Sequence, residues 1–440
     1  MVTTQGESLT VGKKVYKLRK HRGITQEELA EIIKARKDKI VRVERGEDEY
    51  TSAHLDAIRV HFGINELPLT DHEVTIFYKR LYYFRTLIRV KRLSEAHDIQ
   101  SEFGGIDNLS PYDPAIVTLC KVFESQLLIA DGCLADAKSK LELLDPTQMN
   151  DEILCHYLYS MGYLAVSFGN YENGLVYLNK AYDLVETNEN LVLKDDERLY
   201  YNLALCYTYI EMPYKAIFFI TRARQIYTED KMPNFNLNLD HMLALNYINT
   251  NQLYEAKKTL DKCLIEYKCV KDEPRIGVTL FYLGNIYKKV GDWAKAIDHY
   301  EDALNYLPTD MFDYFASLHG MIYCTVQARS FTKAGRLLEQ ARSTCNTNEL
   351  WQKYFDALEY YLIISSRMTV PNSKASDYLE NVAIPHLCKH YDYFLALDYF
   401  KLLEQHYEKT QSIKKSLLMT KETLKIYERC LIRHGKDIKL

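Results

Sequence analysis

The sequence predicts an all-α protein in two parts: a small N-terminal helix-turn-helix unit, then a right-handed superhelix of stacked helical hairpins. Three observations predict it. Residues 24–46, ITQEELAEIIKARKDKIVRVERG, place apolar residues at helical spacing on two short segments joined by a tight turn. Small and aromatic residues then recur about every forty positions over much of the remaining chain. The charge is also divided. Between Lys13 and Arg45, 12 Lys and Arg stand against 5 acidic residues, a balance of +7, so the net −4 of the 440-residue chain leaves −11 elsewhere. A basic head on an acidic body is the asymmetry expected when the head meets phosphate and the body has another task.

The head is justified element by element. Val15 and Leu18 mark an early helix. Thr25 is a good N-cap and Glu28 stands three residues on, which makes a capping box. Leu29, Ile32 and Ile33 form the apolar stripe of the helix it opens. The next helix is expected from Arg36 to Glu44 with Ile40 and Val43 inward, and Leu55, Ile58 and Phe62 on a later helix close the core. The outward face then carries Lys37, Asp38, Val41 and Arg42, with Lys39 on the same helix. A helix presented this way enters the major groove with its N-terminal residues at base edges. Lys37 and Arg42 suit guanine O6 and N7, and Asp38 either accepts from a cytosine amino group or pairs with Arg42 one turn along. Arg36, Arg45 and Gln26 suit phosphate contacts. A merely solvated charged face is the plainer reading, and the spacing together with the local charge favours DNA.

The pattern Gln26-x-x-Leu29-Ala30 followed by Ile40-x-x-x-Glu44-x-Gly46 resembles the Xre/lambda-repressor-like helix-turn-helix domain over residues 11–64. That resemblance implies that Arg19 and Glu44 form a structural pair and are not base readers. The sequence departs from the pattern at Lys34, where a turn glycine is usual, at Arg36, where a small hydroxyl N-cap is usual, and at Val41, where a polar residue is usual. The docking mode carries over, and the base specificity does not.

Gly63-Ile-Asn-Glu-Leu-Pro68 breaks the helical pattern. The expected organisation is therefore a DNA-binding domain over 1–66, a linker over 67–72, and a solenoid of about nine helical pairs over 73–440. Residues 277–310 place Leu280, Leu283, Gly284, Tyr287, Ala296, Tyr300, Ala303 and Pro308 at the spacing of the 34-residue tetratricopeptide unit. Matching Gly or Ala anchors fall at Gly162, Ala204, Ala244 and Gly284. Weaker copies start from Ala96, Ala137 and Ala334, and the segments from 350 and 392 fit only loosely.

The first helix of each pair lines the inner wall of such an array. Repeat positions 2, 6, 9 and 13 share one stripe of that helix. From this stripe, Tyr163, Arg198, Asn202, Tyr209, Asn238, Asn249, Tyr282, Asn285 and Lys289 are the candidate contacts for an extended peptide. An asparagine amide both donates and accepts, so it pairs with peptide backbone whatever the side chains. Tyrosine adds flat apolar area with a polar tip. With 36 tyrosines in the chain, many must simply be packing.

No P-loop, GxSxG, HExxH or paired-carboxylate motif is present, so enzymatic chemistry and a cofactor are not expected. His386-Leu-Cys388-Lys-His390 puts two histidines on one helical face and the cysteine nearly opposite, which reads as two ordinary helix histidines and no metal site. Ten cysteines scattered singly, no apolar leader and no 18-residue apolar run point to a reduced, cytoplasmic setting without a membrane span.

A Xre-type head on tetratricopeptide repeats resembles the RRNPP family of intracellular peptide-pheromone receptors (Rap, Rgg, NprR, PlcR, PrgX). The segment Arg198-Leu-Tyr-Tyr-Asn202-Leu-Ala-Leu-Cys-Tyr207 is most similar to its NprR/PlcR branch. The resemblance implies a quorum-sensing transcriptional regulator with three partners: operator DNA, a short signalling peptide and a second copy of itself. It also implies that Asn202 and Asn285 hold the peptide backbone. The alternative is an adaptor whose repeats grip a protein such as a phosphorelay response regulator.

Overall fold

The computed structural model describes residues 2–64, 66–104, 113–227, 235–345, 349–389 and 393–438, and among these no strand occurs. The chain divides into two compact units. The first is Met1–Cys206 with Ile226–Met232, and the second is Tyr207–Gln225 with Pro233–Leu440.

The first unit opens with α1 (Val2–His21), α2 (Gln26–Ile32), α3 (Lys37–Arg45) and α4 (Ser52–Phe62). Thr25 caps α2: its hydroxyl accepts from the Glu28 amide at 3.2 Å, and its own amide donates to the Glu28 carboxylate at 2.6 Å. Helix α3 starts one residue later than expected, with Arg36 as an extended N-cap whose side chain makes no capping bond. Lys34 takes the left-handed turn conformation, φ +52°, that its sequence position asks of glycine. Val15, Leu18, Leu29, Ala30, Ile33, Ile40 and Ile58 form the buried core, with Leu55 and Phe62 packed against it. Helix α1 crosses α3 so closely that a Cβ on Gly12 would lie 2.5 Å from the Val43 carbonyl oxygen.

Successive helical pairs follow. In the first unit they are α5 (Asp71–Arg89) with α6 (Leu93–Glu102), α7 (Pro114–Ala130) with α8 (Leu134–Glu142), and α9 (Asp151–Ser167) with α10 (Tyr171–Thr187). Helix α11 (Glu197–Tyr209) begins there, and its partner α12 (Pro213–Ile226) lies almost wholly in the second unit. The second unit continues with α13 (Phe235–Asn249) and α14 (Leu253–Val270), α15 (Glu273–Val290) and α16 (Trp293–Leu304), and α17 (Phe312–Gln327) and α18 (Phe331–Thr344). Then α19 (Glu349–Ser366) pairs with a broken helix, α20 (Ser373–Tyr378) and α21 (Ile384–Lys389), and α22 (Tyr393–Lys409) pairs with α23 (Ile413–Ile438). A π-helical turn over Leu379–Ala383 interrupts the broken helix, which is why the repeat spacing from 350 fits loosely.

One backbone device closes every pair but that of α19. A residue with positive φ sits between the two helices at Lys91, Gly132, Gly169, Glu211, Asn251, Gly291, Arg329 and Gln411. Each time the next amide reaches back five residues, as from Cys133 to Leu128 at 2.8 Å and from Gln252 to Tyr247 at 2.8 Å. This is the Schellman closure that satisfies the last carbonyls of the first helix. Five of the eight residues are not glycine, so composition does not reveal the recurrence.

Small residues mark the closest helix approaches. The buried ring of Tyr300 is wedged between two glycines: a Cβ on Gly284 or on Gly320 would lie 2.7 Å from it.

The head is braced on the first pairs. Lys14 Nζ pairs with Glu73 at 2.8 Å. Lys17 Nζ donates to the Leu69 carbonyl and to Asp113 Oδ1, both at 2.9 Å.

Candidate functional site

The head presents a cationic helix held by its own acids. Ile40 and Val43 turn into the core, leaving Arg36, Lys37, Asp38, Arg42 and Arg45 exposed and Lys39 half-buried. Lys37 pairs with Glu27 on α2, and Arg42 pairs with Asp48. Lys39 Nζ reaches the same Asp48 at 2.9 Å. The Lys39 hydrogen bond, the Glu49 amide and Arg42 together lower the Asp48 carboxyl to about 2. Arg42 therefore takes Asp48, beyond the helix end, and not Asp38 one turn back. These are exposed or half-exposed pairs in water, which phosphate can displace at small cost.

Arg19 and Glu44 meet in a buried bidentate pair, Nε to Oε1 at 2.7 Å and a second guanidinium nitrogen to Oε2 at 3.0 Å. Gln26, expected at phosphate, joins that pair: its amide donates to Glu44 Oε2 at 2.8 Å. This fixes the start of α2 to the end of α3 and gives Gln26 a structural partner.

In the first unit, Tyr163, Arg198 and Asn202 gather around Tyr159, a residue the repeat-position reading passes over. Tyr163 stacks on Tyr159 with centroids 6.1 Å apart, and the Arg198 guanidinium lies 5.8 Å from the Tyr159 centroid. Asn202 Nδ2 donates to the Tyr159 hydroxyl at 3.3 Å. Beneath them lies a charged cluster. Arg85 on α5 pairs with Asp196, Arg198 Nε lies 3.5 Å from Asp196, and Arg89 lies 3.7 Å from Glu197. Burial alone would raise the Asp196 carboxyl, but the guanidiniums of Arg85, Arg198 and Arg89 outweigh it and hold it far below the usual carboxylate range.

His156 and Ser160, at repeat positions 2 and 6, are not on an open wall. His156 is buried against Phe123 and lies 3.0 Å from Glu152, while Gln126 donates to the Ser160 hydroxyl at 2.9 Å.

The second unit carries the other candidates. Tyr209, Asn249 and Lys289 are exposed, and Asn238, Tyr282 and Asn285 are half-buried. Asn285 Oδ1 accepts from the buried Tyr300 hydroxyl at 2.7 Å, so the wedge between the two glycines aims an inner-wall amide. Lys289 is exposed along its stem, but its Nζ donates to the Ile248 carbonyl at 3.1 Å, and the burial of that amine together with Lys288 lowers its pKa. Tyr282 packs edge-on to His241 at 5.6 Å, and the Asn238 carbonyl oxygen is buried without a hydrogen bond.

Asn246 was missed. It is fully buried and its amide donates to Thr208 Oγ1 and the Met242 carbonyl, both at 2.8 Å. Its signal was legible, because repeat position 10 holds Leu164, Cys206 and Ile286 in the neighbouring units and asparagine only here.

Three histidines in buried surroundings give the fold a pH dependence, among them His241, which burial, with Arg275 nearby, lowers to about 4. Burial, with Arg85 nearby, lowers His156 to about 4, and burial, with Lys288 nearby, lowers His319 to about 3. All three stay neutral in the folded chain at about pH 5–6, whereas an unfolded histidine titrates near 6.5. Stability should therefore be full above pH 6.5 and fall as the pH drops towards 4, by up to about 1.4 kcal/mol per pH unit for each group. Thermal melting across this range checks it, and the triple variant His156→Gln, His241→Gln, His319→Gln should flatten the slope.

Three surface cavities, of about 600, 380 and 410 Å³, are lined by none of the nine inner-wall candidates. Among the described residues no three His, Cys, Asp or Glu side chains converge on a metal-sized site, and His390 lies outside those residues. Among them too, no helix is long and apolar enough to cross a membrane.

The tetratricopeptide repeat family pattern matches residues 278–310. No curated protein matches the sequence. Solved structures are similar as well. The apo form of the quorum sensor NprR from B. thuringiensis is 20% identical, with 81% of this chain and 100% of that chain covered and a TM-score of 0.66. NprR in complex with its cognate peptide NprX is 21% identical, with 80% and 99% covered and a TM-score of 0.59. A Rap protein complexed with Competence and Sporulation Factor is 12% identical, with 82% and 99% covered and a TM-score of 0.63. The chain is thus an all-α tetratricopeptide-repeat protein that shares the fold of the RRNPP proteins NprR and Rap.

Proposed function

We propose that this protein is a quorum-sensing transcriptional regulator. Its helix-turn-helix head binds operator DNA, a short signalling peptide binds the inner wall of its repeats, and peptide occupancy changes the geometry of a homodimer and hence its grip on DNA. The observation that carries the reading is the union, in one chain, of a cationic helix-turn-helix with the fold of a quorum sensor that has been seen with its peptide. Two heads would read half-sites roughly 34 Å apart. The bracing of α1 by Lys14 and Lys17 supports transmission, because a shift in the first helical pairs carries the head with it. A peptide that binds one arrangement of the hairpins better than another shifts the population by that difference in affinity.

The test begins with an operator fragment selected by the full-length protein from random DNA. Lys37→Ala with Arg42→Ala should weaken specific binding on the order of thirtyfold or more, at about 1–3 kcal/mol for each base contact. Far-UV circular dichroism should be unchanged. Undiminished affinity in the double variant, or no selectable DNA at all, overturns the assignment.

The likeness to a Rap protein keeps the adaptor reading in view. About one peptide bound per chain supports the sensor, and binding only to a folded protein partner supports the adaptor.

A further inference from the structure

The acid just beyond α3 is held from three sides. Gly46 takes the left-handed conformation, φ +79°, and closes the helix. Its amide donates to the Val43 carbonyl at 2.9 Å, and the Glu47 amide donates to the Arg42 carbonyl at 2.8 Å. The chain so turned lays Asp48 against the side chains of Lys39 and Arg42. Lys39 Nζ at 2.9 Å and the Glu49 amide at 2.8 Å both donate to Asp48 Oδ1. Oδ2 is left for Arg42, one of whose terminal nitrogens donates to it. The carboxylate is therefore fixed by groups other than the arginine it meets.

Exposure divides this trio by role. The Lys39 and Asp48 side chains are 26% and 21% exposed, whereas Arg42 keeps 49%. Lys39, expected at DNA, is a covered strut, and Arg42 is the group presented. Asp48 takes one nitrogen of the fork, and no other hydrogen bond holds Arg42 among the described residues. A guanidinium carries five N–H donors in a rigid plane, so most remain for a base edge. The Lys37–Glu27 pair differs, because both side chains are more than half exposed and an ammonium has no plane to orient. An exposed ion pair contributes little stability. What this one contributes is geometry, since a long side chain already held in place loses less freedom on meeting a base.

We propose that Asp48, braced by Lys39, is a positioning residue that sets the Arg42 guanidinium for one guanine in the major groove. The proposal rests on the DNA-binding reading and names the side chains that decide selectivity there. Asp48 acts in the opposite sense on DNA at large. A carboxylate beside the backbone repels phosphate, so it weakens binding that depends on charge alone. One residue thus raises the preference for the right base and lowers the affinity for wrong sequences.

Competition binding of the full-length protein to its selected operator, with each base pair replaced in turn, tests this. Arg42→Ala first identifies its base pair as the one whose preference vanishes. A bidentate arginine contact carries on the order of 5- to 150-fold discrimination. Asp48→Asn should lose about fivefold or more at that same pair and keep the preferences elsewhere. It should also bind random-sequence duplex about twofold tighter at low salt. Adding Asp48→Asn to Arg42→Ala should cost nothing more at that pair. Glu47→Gln, which removes a neighbouring charge that Arg42 does not touch, should tighten random binding alike and leave every base preference in place. Lys39→Met removes the strut, should lose part of the preference at the same pair, and reads the contact even if Asp48→Asn misfolds. Full preference at that pair in both variants, or an even loss across all positions, overturns the positioning role and leaves DNA binding intact. An operator on which Arg42→Ala erases no preference overturns it as well. Failure to select any DNA removes both readings.

Discussion

Glu44→Ala should cost the head about 3–5 kcal/mol, the price of stripping the partner from a buried charge. The Arg19 side chain is 6% exposed and both of its bonds to this carboxylate would be lost, leaving a guanidinium in a small apolar core. Gln26 would lose its acceptor at the same time, freeing the start of α2 from the end of α3. Hydrogen exchange over residues 11–64 reads the effect directly, and operator binding should disappear with it. Replacing both members, Arg19→Met with Glu44→Leu, should restore most of the stability, because no charge is then stranded. A double variant as unstable as the single one would show that the pair's geometry, and not its charge balance, holds the head.

Asp196→Ala should be as damaging to the first unit, at about 3–5 kcal/mol, for the same reason: it strands cations. Arg85, Arg89 and Arg198 all act on this carboxylate, and it lies at the start of α11 while Arg85 lies on α5, 111 residues earlier. Its loss should raise exchange in both helices together. The acid response separates this group from the histidines. A carboxyl held so low contributes fully above its ordinary value of 3.8 and loses its contribution only as the pH falls below that. Weakening between pH 6.5 and 4 should therefore persist in Asp196→Ala, since it arises from His156, His241 and His319.

Much of the helical architecture is legible in the sequence because it is written in short periods. Thr25 and Glu28 give the start of α2 from a spacing of three, and the anchors at 162, 204, 244 and 284 give the phase of four first helices. Each depends on a few neighbouring side chains and on little else. The inner wall is less legible. Repeat position 6 holds Ser160 in one unit and Asn202 in the next, yet one is sealed by Gln126 and the other meets Tyr159. A position on a helical stripe fixes direction, and what stands opposite depends on helices far away in the chain.

By itself the sequence determined the helical class, the repeat phase, the small apolar head and the cationic face of α3, because local spacing and charge fix these before the chain folds back on itself. Tertiary structure alone decided which charges stay available. It gave Lys37 to Glu27, Arg42 and Lys39 to Asp48, Gln26 to Glu44, and Arg85 to Asp196. Ion pairing falls off with distance through space and is blind to distance along the chain, so no periodicity announces it.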